Sequence, residues 1–134
     1  MTNSQLFQTA PGPVKTAGVT ELVLTSNAPE QLHMLLPMLA YLSHNSNNRW
    51  ITWVAPKHLN RELLAAYGVN TKCIRLIHSQ EENPLWLIWE ALASGTSNTV
   101  IASPGRLSEK ELVQLEIAAA KGECQGLLLR TRHE

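Results

Sequence analysis

Short apolar runs alternate with stretches of helical periodicity from Thr20 almost to the end of this 134-residue chain, and that alternation limits the fold more than any other feature. Glu21–Thr25 (ELVLT), Arg49–Ala55 (RWITWVA), Lys72–His78 (KCIRLIH), Asn98–Ala102 (NTVIA) and Gln125–Arg130 (QGLLLR) read as strands, because apolar, β-branched and aromatic residues dominate them. Between them lie helix patterns. Leu32, Leu35, Leu36, Leu39 and Leu42 recur at helical spacing over 28–44, where Pro37 is expected to kink the helix or leave a carbonyl unpaired. Asn60 caps a second helix that runs to Tyr67 and stops at Gly68. Asn83–Pro84 starts a third, with Pro84 at the first helical position and Gly95 beyond the last turn. Ser108 and Glu111 form a capping box for a fourth, which ends at Lys121–Gly122. Five strands joined through four helices demand crossover connections, which pack right-handed onto a mainly parallel sheet. The expected fold is a three-layer α/β domain.

Residues 1–19 carry Pro11, Gly12, Pro13 and Gly18 among small polar residues and read as a flexible arm, leaving 20–134 as one folded domain. At 44% hydrophobic and 16% charged residues, the chain can form an ordinary core without a disulfide or metal staple. Eleven Lys and Arg balance eleven acidic residues, which argues against nucleic-acid binding through net charge. Two cysteines, Cys73 and Cys124, suit a reducing, cytoplasmic setting. Met1–Lys15 has no apolar run of the signal-peptide kind, and no stretch is long enough and apolar enough to span a membrane. Charge is uneven nonetheless. Arg49, Lys57, Arg61, Lys72 and Arg75 face only Glu62 over residues 49–75, whereas Glu dominates 76–125. Either unlike solvated helix faces or a basic partner-binding patch would produce this pattern.

Every acidic residue is Glu; there is no Asp, which excludes Asp-based triads, EF-hands and an Asp magnesium ligand. The strand-to-helix turn Thr25–Glu30 has no glycine, and Ala55-Pro56-Lys57-His58 has neither glycine nor a following Ser or Thr, so neither matches a phosphate-cradling loop. Ala102-Ser103-Pro104-Gly105 stands where an NTPase would place its magnesium-holding Asp. Among His33, His44, His58, His78 and His133 no pair has metal-ligand spacing, and Cys73 and His78, five apart on one expected strand, face opposite sides. There is no G-x-S-x-G elbow. No cofactor, metal or catalytic residue is expected, and the chain reads as a non-enzyme.

Four tryptophans against one phenylalanine is unusual. Trp50 and Trp53, three apart on a strand, face opposite layers; Trp86 and Trp89, three apart on a helix, lie on neighbouring faces. All four are core candidates. Trp86 falls at the margin of the apolar face made by Leu85, Ile88, Trp89 and Leu92, and is also a candidate interface anchor.

An ordered set of short motifs spans residues 20–130: Met34-Leu35-Leu36-Pro37-Met38-Leu39; Arg49-Trp50-x-x-Trp53-x-x-Pro56; Leu59-x-Arg61-Glu62; Gly68 and Lys72; Ala91-Leu92-x-x-Gly95 leading to Val100-Ile101; Leu107-x-Glu109-x-Glu111; and Ala119-x-x-Gly122-x-x-x-Gly126-x-x-x-Arg130. In this order and spacing the chain resembles the bacterial SOS cell-division inhibitor family, SulA. The resemblance implies a RecA-like domain without its nucleotide loop, and a protein induced when the LexA repressor is cleaved after DNA damage. It implies that the chain binds FtsZ, the tubulin-like division GTPase, and blocks its polymerisation. The family's FtsZ-contacting stretch falls on Ala91, Leu92, Ala93, Ser94, Gly95, Thr96 and Ser97, and positions whose alteration impairs the inhibitor match Arg49, Val54, Leu63 and Lys72.

Arg49 and Lys72 open neighbouring expected strands and suit steering toward an acidic partner. The small Ala93, Ser94 and Gly95 allow a partner's backbone to come close. Val54 and Leu63 are either contacts or core. The sequence departs from the family at Leu63, where relatives can carry Trp, and at Ala93 and Ser97, where they can carry larger, more polar residues. The resemblance also implies self-association into a dimer. Relatives can continue into a C-terminal tail recognised by the Lon protease; with the chain ending at Glu134, turnover by Lon is left open. Two alternatives stand beside this reading: a degenerate RecA-type nucleotide-binding enzyme, and a DNA-damage adaptor acting through residues 49–75.

Overall fold

The computed structural model describes residues 17–24, 33–46, 48–56, 59–79 and 84–131. The arm over residues 1–16, the turn 25–30, Lys57, His58, Asn83 and His133 lie outside the described residues. The elements run β1 (Gly18–Leu24), α1 (Leu36–Ser43), β2 (Trp50–Val54), α2 (Arg61–Ala66), a 3-10 turn (Thr71–Cys73), β3 (Ile74–Ile77), α3 (Leu85–Ala93), β4 (Ser97–Ala102), α4 (Glu109–Gly122) and β5 (Gln125–Thr131). The five strands form one sheet in the order β1-β5-β4-β2-β3, with every neighbouring pair parallel. The connections step toward β3 in the first half of the chain and back toward β5 in the second. Crossovers of one hand must therefore place α1 and α2 on one face and α3 and α4 on the other.

The core follows that division. Leu36, Leu39 and Leu64 from α1 and α2 pack with Ile51, Trp53, Ile74, Ile101 and Leu129. Ile88 and Leu92 from α3, and Leu115, Ala118 and Ala119 from α4, pack with Val54, Val100, Ala102 and Leu128. Alternation along β2 sends Ile51 and Trp53 to one layer and Thr52 and Val54 to the other, which buries every residue after Trp50. Each fully buried Leu or Ile contributes about 1.5–3 kcal/mol relative to leaving it in water.

Local chemistry sets several boundaries differently from the expectation. Pro37 lies in the first turn of α1, because that helix opens at Leu36. An absent N–H costs little in a first turn, and a turn at Met34 and Leu35 separates α1 from the helical residue His33, so the helical stretch is interrupted just before the proline. Pro84 takes the N-cap of α3 and not its first helical position. Strand β1 opens at Gly18, within the stretch assigned to the arm, and its first residues pair with Gln125 and Gly126. The third strand is shorter than expected: Lys72 and Cys73 belong to the 3-10 turn and His78 lies past the strand end, so Cys73 and His78 do not share a strand. At α4 the capping box is complete, with the Glu111 amide donating to Ser108 Oγ (3.1 Å) and the Ser108 amide to Glu111 Oε1 (2.9 Å). At its other end Glu123, not a glycine, takes the left-handed position (φ 50°), while Gly122 packs against α3.

Candidate functional site

Parallel strands bring all their amino ends to one edge of the sheet and all their carboxyl ends to the other. Ligands of open α/β sheets lie at the carboxyl edge. Among the described residues that edge holds Ala55, which adopts φ 52°, and the loop Ser103-Pro104-Gly105. Of the residues singled out by family resemblance, Arg49, which precedes β2, Lys72, which precedes β3, and Ser94–Thr96, which lead into β4, lie at the opposite, amino edge, whereas Val54 ends β2 and Leu63 lies within α2.

The stretch 91–97 divides by burial. Ala91, Leu92 and Ser97 are buried, Ala93 is half-buried, and only Ser94, Gly95 and Thr96 are exposed. The three exposed residues form a tight turn between α3 and β4. Ser94 caps the end of α3 through its amide, which donates to the Glu90 carbonyl (3.0 Å), and its hydroxyl donates to the Ala91 carbonyl (3.1 Å). The Thr96 amide donates to Ser94 Oγ (3.2 Å), and the two hydroxyl oxygens lie 2.8 Å apart. Gly95 has φ 80° with open space where a side chain would project, so a glycine is needed here for its backbone and not for want of room.

A bulge then re-aims the start of β4. Trp50 pairs with Ser97 but Ile51 pairs with Thr99, so Asn98 is the extra residue. That shift puts Ser97 on the same face as Thr52, and the two hydroxyl oxygens meet at 2.7 Å in a buried contact. Arg75, opposite Thr52 on β3, reaches over both strands. Its Nε donates to Thr52 Oγ1 and its Nη2 to Thr96 Oγ1 and Ser97 Oγ, all at 3.2 Å. Its guanidinium carbon lies 5.6 Å from the centre of the Trp50 ring, within cation–π range. Sequence reading counted Arg75 only as one of several basic residues. The pairing of β3 with β2 brings it to the turn, and single-strand periodicity carries no information about which strands are neighbours.

Arg49 works inward. Its Nη1 donates to the Glu123 carbonyl (2.9 Å), and its Nη2 to the carbonyls of Gly122 (2.7 Å) and Ser97 (2.6 Å). A cation at the negative end of α4 is stabilising, and the same side chain ties that helix end to β4. Arg61 is likewise occupied, donating to the Thr71 (2.9 Å) and Ile74 (3.1 Å) carbonyls. The arginines of the basic stretch are therefore mostly committed to backbone and hydroxyl oxygens. Lys72, by contrast, is exposed in the 3-10 turn. Val54 is fully buried beneath α3 and α4, and Leu63 is half-buried against the α1–α2 core.

Trp53 is core, whereas Trp50 is 39% and Trp86 63% exposed. Trp86 stacks on Trp89 with ring centres 5.9 Å apart and planes 5° from parallel. The pair lines an open, mostly apolar groove of about 460 Å³ between α3 and α4, together with Leu85, Leu115, Glu111 and Gln114. Cys124 is buried, and burial pushes its thiol from 9.0 to about 11, against the smaller opposing effects of Arg49 and a hydrogen bond with the Val100 backbone. Both cysteines are free, and among the described residues no group of three His, Cys, Asp or Glu could hold a metal ion. Among the described residues no helix is long and apolar enough to cross a membrane.

Residues 17–126 match the family model described as "Cell division inhibitor SulA". The chain is 29% identical over 126 residues to the cell division inhibitor SulA of Yersinia enterocolitica, covering 91% of this chain and 73% of the relative. It is 29% identical over 122 residues to that of Yersinia pestis, covering 88% and 70%. The crystal structure of SulA from Pseudomonas aeruginosa superimposes with a TM-score of 0.77 at 35% identity, over 84% of this chain and 97% of that one.

Proposed function

The chain belongs to the SulA family of cell division inhibitors, and from that premise we propose that it is an SOS-induced cytoplasmic protein that binds FtsZ and prevents its polymerisation into the division ring. The observation that carries this reading is the convergence of Ser94, Gly95 and Thr96 with Arg75, Trp50 and Lys72 at the amino edge of the sheet. Small, exposed side chains on a turn braced by hydrogen bonds let another protein's backbone approach closely without first ordering a loop, which lowers the entropy cost of binding. Tryptophan and arginine beside such a turn are the residue types that anchor protein interfaces.

Inhibition of this kind requires occupancy and no chemistry. A subunit whose growing face is covered is withdrawn from filament growth, so the effect follows the ratio of inhibitor to FtsZ. Binding at micromolar strength or tighter, about 8 kcal/mol or more, is needed to hold FtsZ at cellular concentrations. Within this reading Arg49, Val54 and Leu63 support the face from behind. Arg49 holds the α4 end against β4, while Val54 and Leu63 fill the two core layers. Sedimentation of FtsZ with GTP tests the proposal: polymer in the pellet should fall in proportion to added protein and vanish near one equivalent. Pelleting that stays unchanged with the protein in excess refutes it.

A further inference from the structure

Arg75 is half-buried, and no described residue neutralises its charge. Among the described residues the ion pair within range is Arg130–Glu21, at 3.8 Å; no carboxylate reaches Arg75. Its neighbours are the hydroxyls of Thr52, Thr96 and Ser97 and the ring of Trp50. Hydroxyl oxygens and an aromatic face fix a guanidinium in place but leave its full charge directed outward. Nη1 bonds to nothing among the described residues, while Nη2, on the same planar group, holds the exposed Thr96. A cation already oriented and partly stripped of water gains more from an arriving anion than one on a flexible, solvated side chain.

We propose that Arg75, held on Trp50, is the specificity-determining contact of this face and receives a carboxylate from the partner protein beside the Ser94–Thr96 turn. The proposal rests on the reading that FtsZ is the partner, and supplies the residue through which an acidic surface is recognised. Lys72 adds positive charge at the same edge. Among the described basic residues, Arg75 alone combines a fixed guanidinium with direct contact to the exposed turn.

The test measures binding to FtsZ, and inhibition of its pelleting, for the full chain and for Arg75→Gln and Arg75→Lys over a range of salt concentrations. Arg75→Gln is expected to weaken binding about ten- to hundredfold at low salt, the usual loss for a hydrogen bond to a charged group, and to flatten the salt dependence. Arg75→Lys keeps the charge but loses the planar fork, so it should retain the salt dependence and recover only part of the affinity. Arg75→Gln binding within twofold of wild type overturns the proposal. So does weaker binding with the wild-type salt dependence, which is what a purely bracing role would produce. If the unaltered chain does not bind FtsZ at all, the FtsZ reading falls and the contact falls with it. Thermal melts identify any variant that does not fold. In that event FtsZ surface carboxylates are neutralised singly against the unaltered chain, where one must flatten the salt dependence; none doing so overturns the proposal.

Discussion

A methyl group added at Gly122 would stand 1.8 Å from the Leu92 carbonyl oxygen, a backbone atom that cannot step aside without moving α3. Alanine normally favours a helix over glycine by about 1 kcal/mol, but the overlap here outweighs that gain. Gly122→Ala should destabilise the protein by about 3 kcal/mol or more, read from denaturant midpoints. Gly126→Ala should cost about 1 kcal/mol or less, because its tight contacts are the side-chain tips Leu92 Cδ2 (3.1 Å) and Val19 Cγ2 (3.3 Å), while the Gly18 carbonyl oxygen at 3.8 Å is at ordinary van der Waals distance. Equal losses would show that backbone proximity is not what requires Gly122. Cys124 makes a pH prediction. A thiol whose folded pKa is raised from 9.0 to about 11 favours its protonated form. Its stabilising contribution is whole below about pH 9 and lost as pH climbs toward 11, a change on the order of 2–3 kcal/mol. Wild type minus Cys124→Ala, compared by denaturation across that range, should show the decline; parallel curves would contradict it. Neither effect can be read from a residue's type, because both depend on what lies opposite it.

At the scale of an element, α3 carries different roles at its two ends. Its carboxyl end delivers Ser94 to the amino edge of the sheet, while Trp86 sits in its first turn, about 12 Å back along the axis. Both are exposed, but only the first belongs to the braced turn. If FtsZ is the partner as proposed, Trp86→Ala should therefore leave its inhibition within about twofold of wild type, whereas Gly95→Val, which forces a β-branched residue into φ 80°, should abolish it. Loss of inhibition by Trp86→Ala with folding intact would move the contact face to the α3–α4 groove. Capping residues made several boundaries legible in advance: Asn60 accepts from the Leu63 amide (2.8 Å), and the Ser108–Glu111 box forms as its spacing implied. Proline was less legible. Its missing donor restricts where a helix can run but does not tell an interior break from a new first turn, as at Pro37, or a first helical position from an N-cap, as at Pro84.

Over the whole molecule, the alternation of apolar runs and helical periods led to the α/β layering because each element must bury one face, and the period records which. Strand order was not legible in the same way. Nothing within Ile74–Ile77 states that it will flank β2 at the sheet's edge, or that β4 will stand between β2 and β5. That order puts Arg75 over Thr52 and Ser97, and carries Arg49 to the end of α4. It also divides the stretch 91–97, whose family likeness marks all seven residues alike, into a buried frame and a three-residue surface. The sequence alone determined the secondary elements, the layer class and the family, since these depend on local propensity and on residues in a fixed order along the chain. Which side chains share a face, which cation is committed inward and which is presented, were decided only in three dimensions. Those outcomes arise between residues distant along the chain, where packing and hydrogen-bond geometry choose the partner.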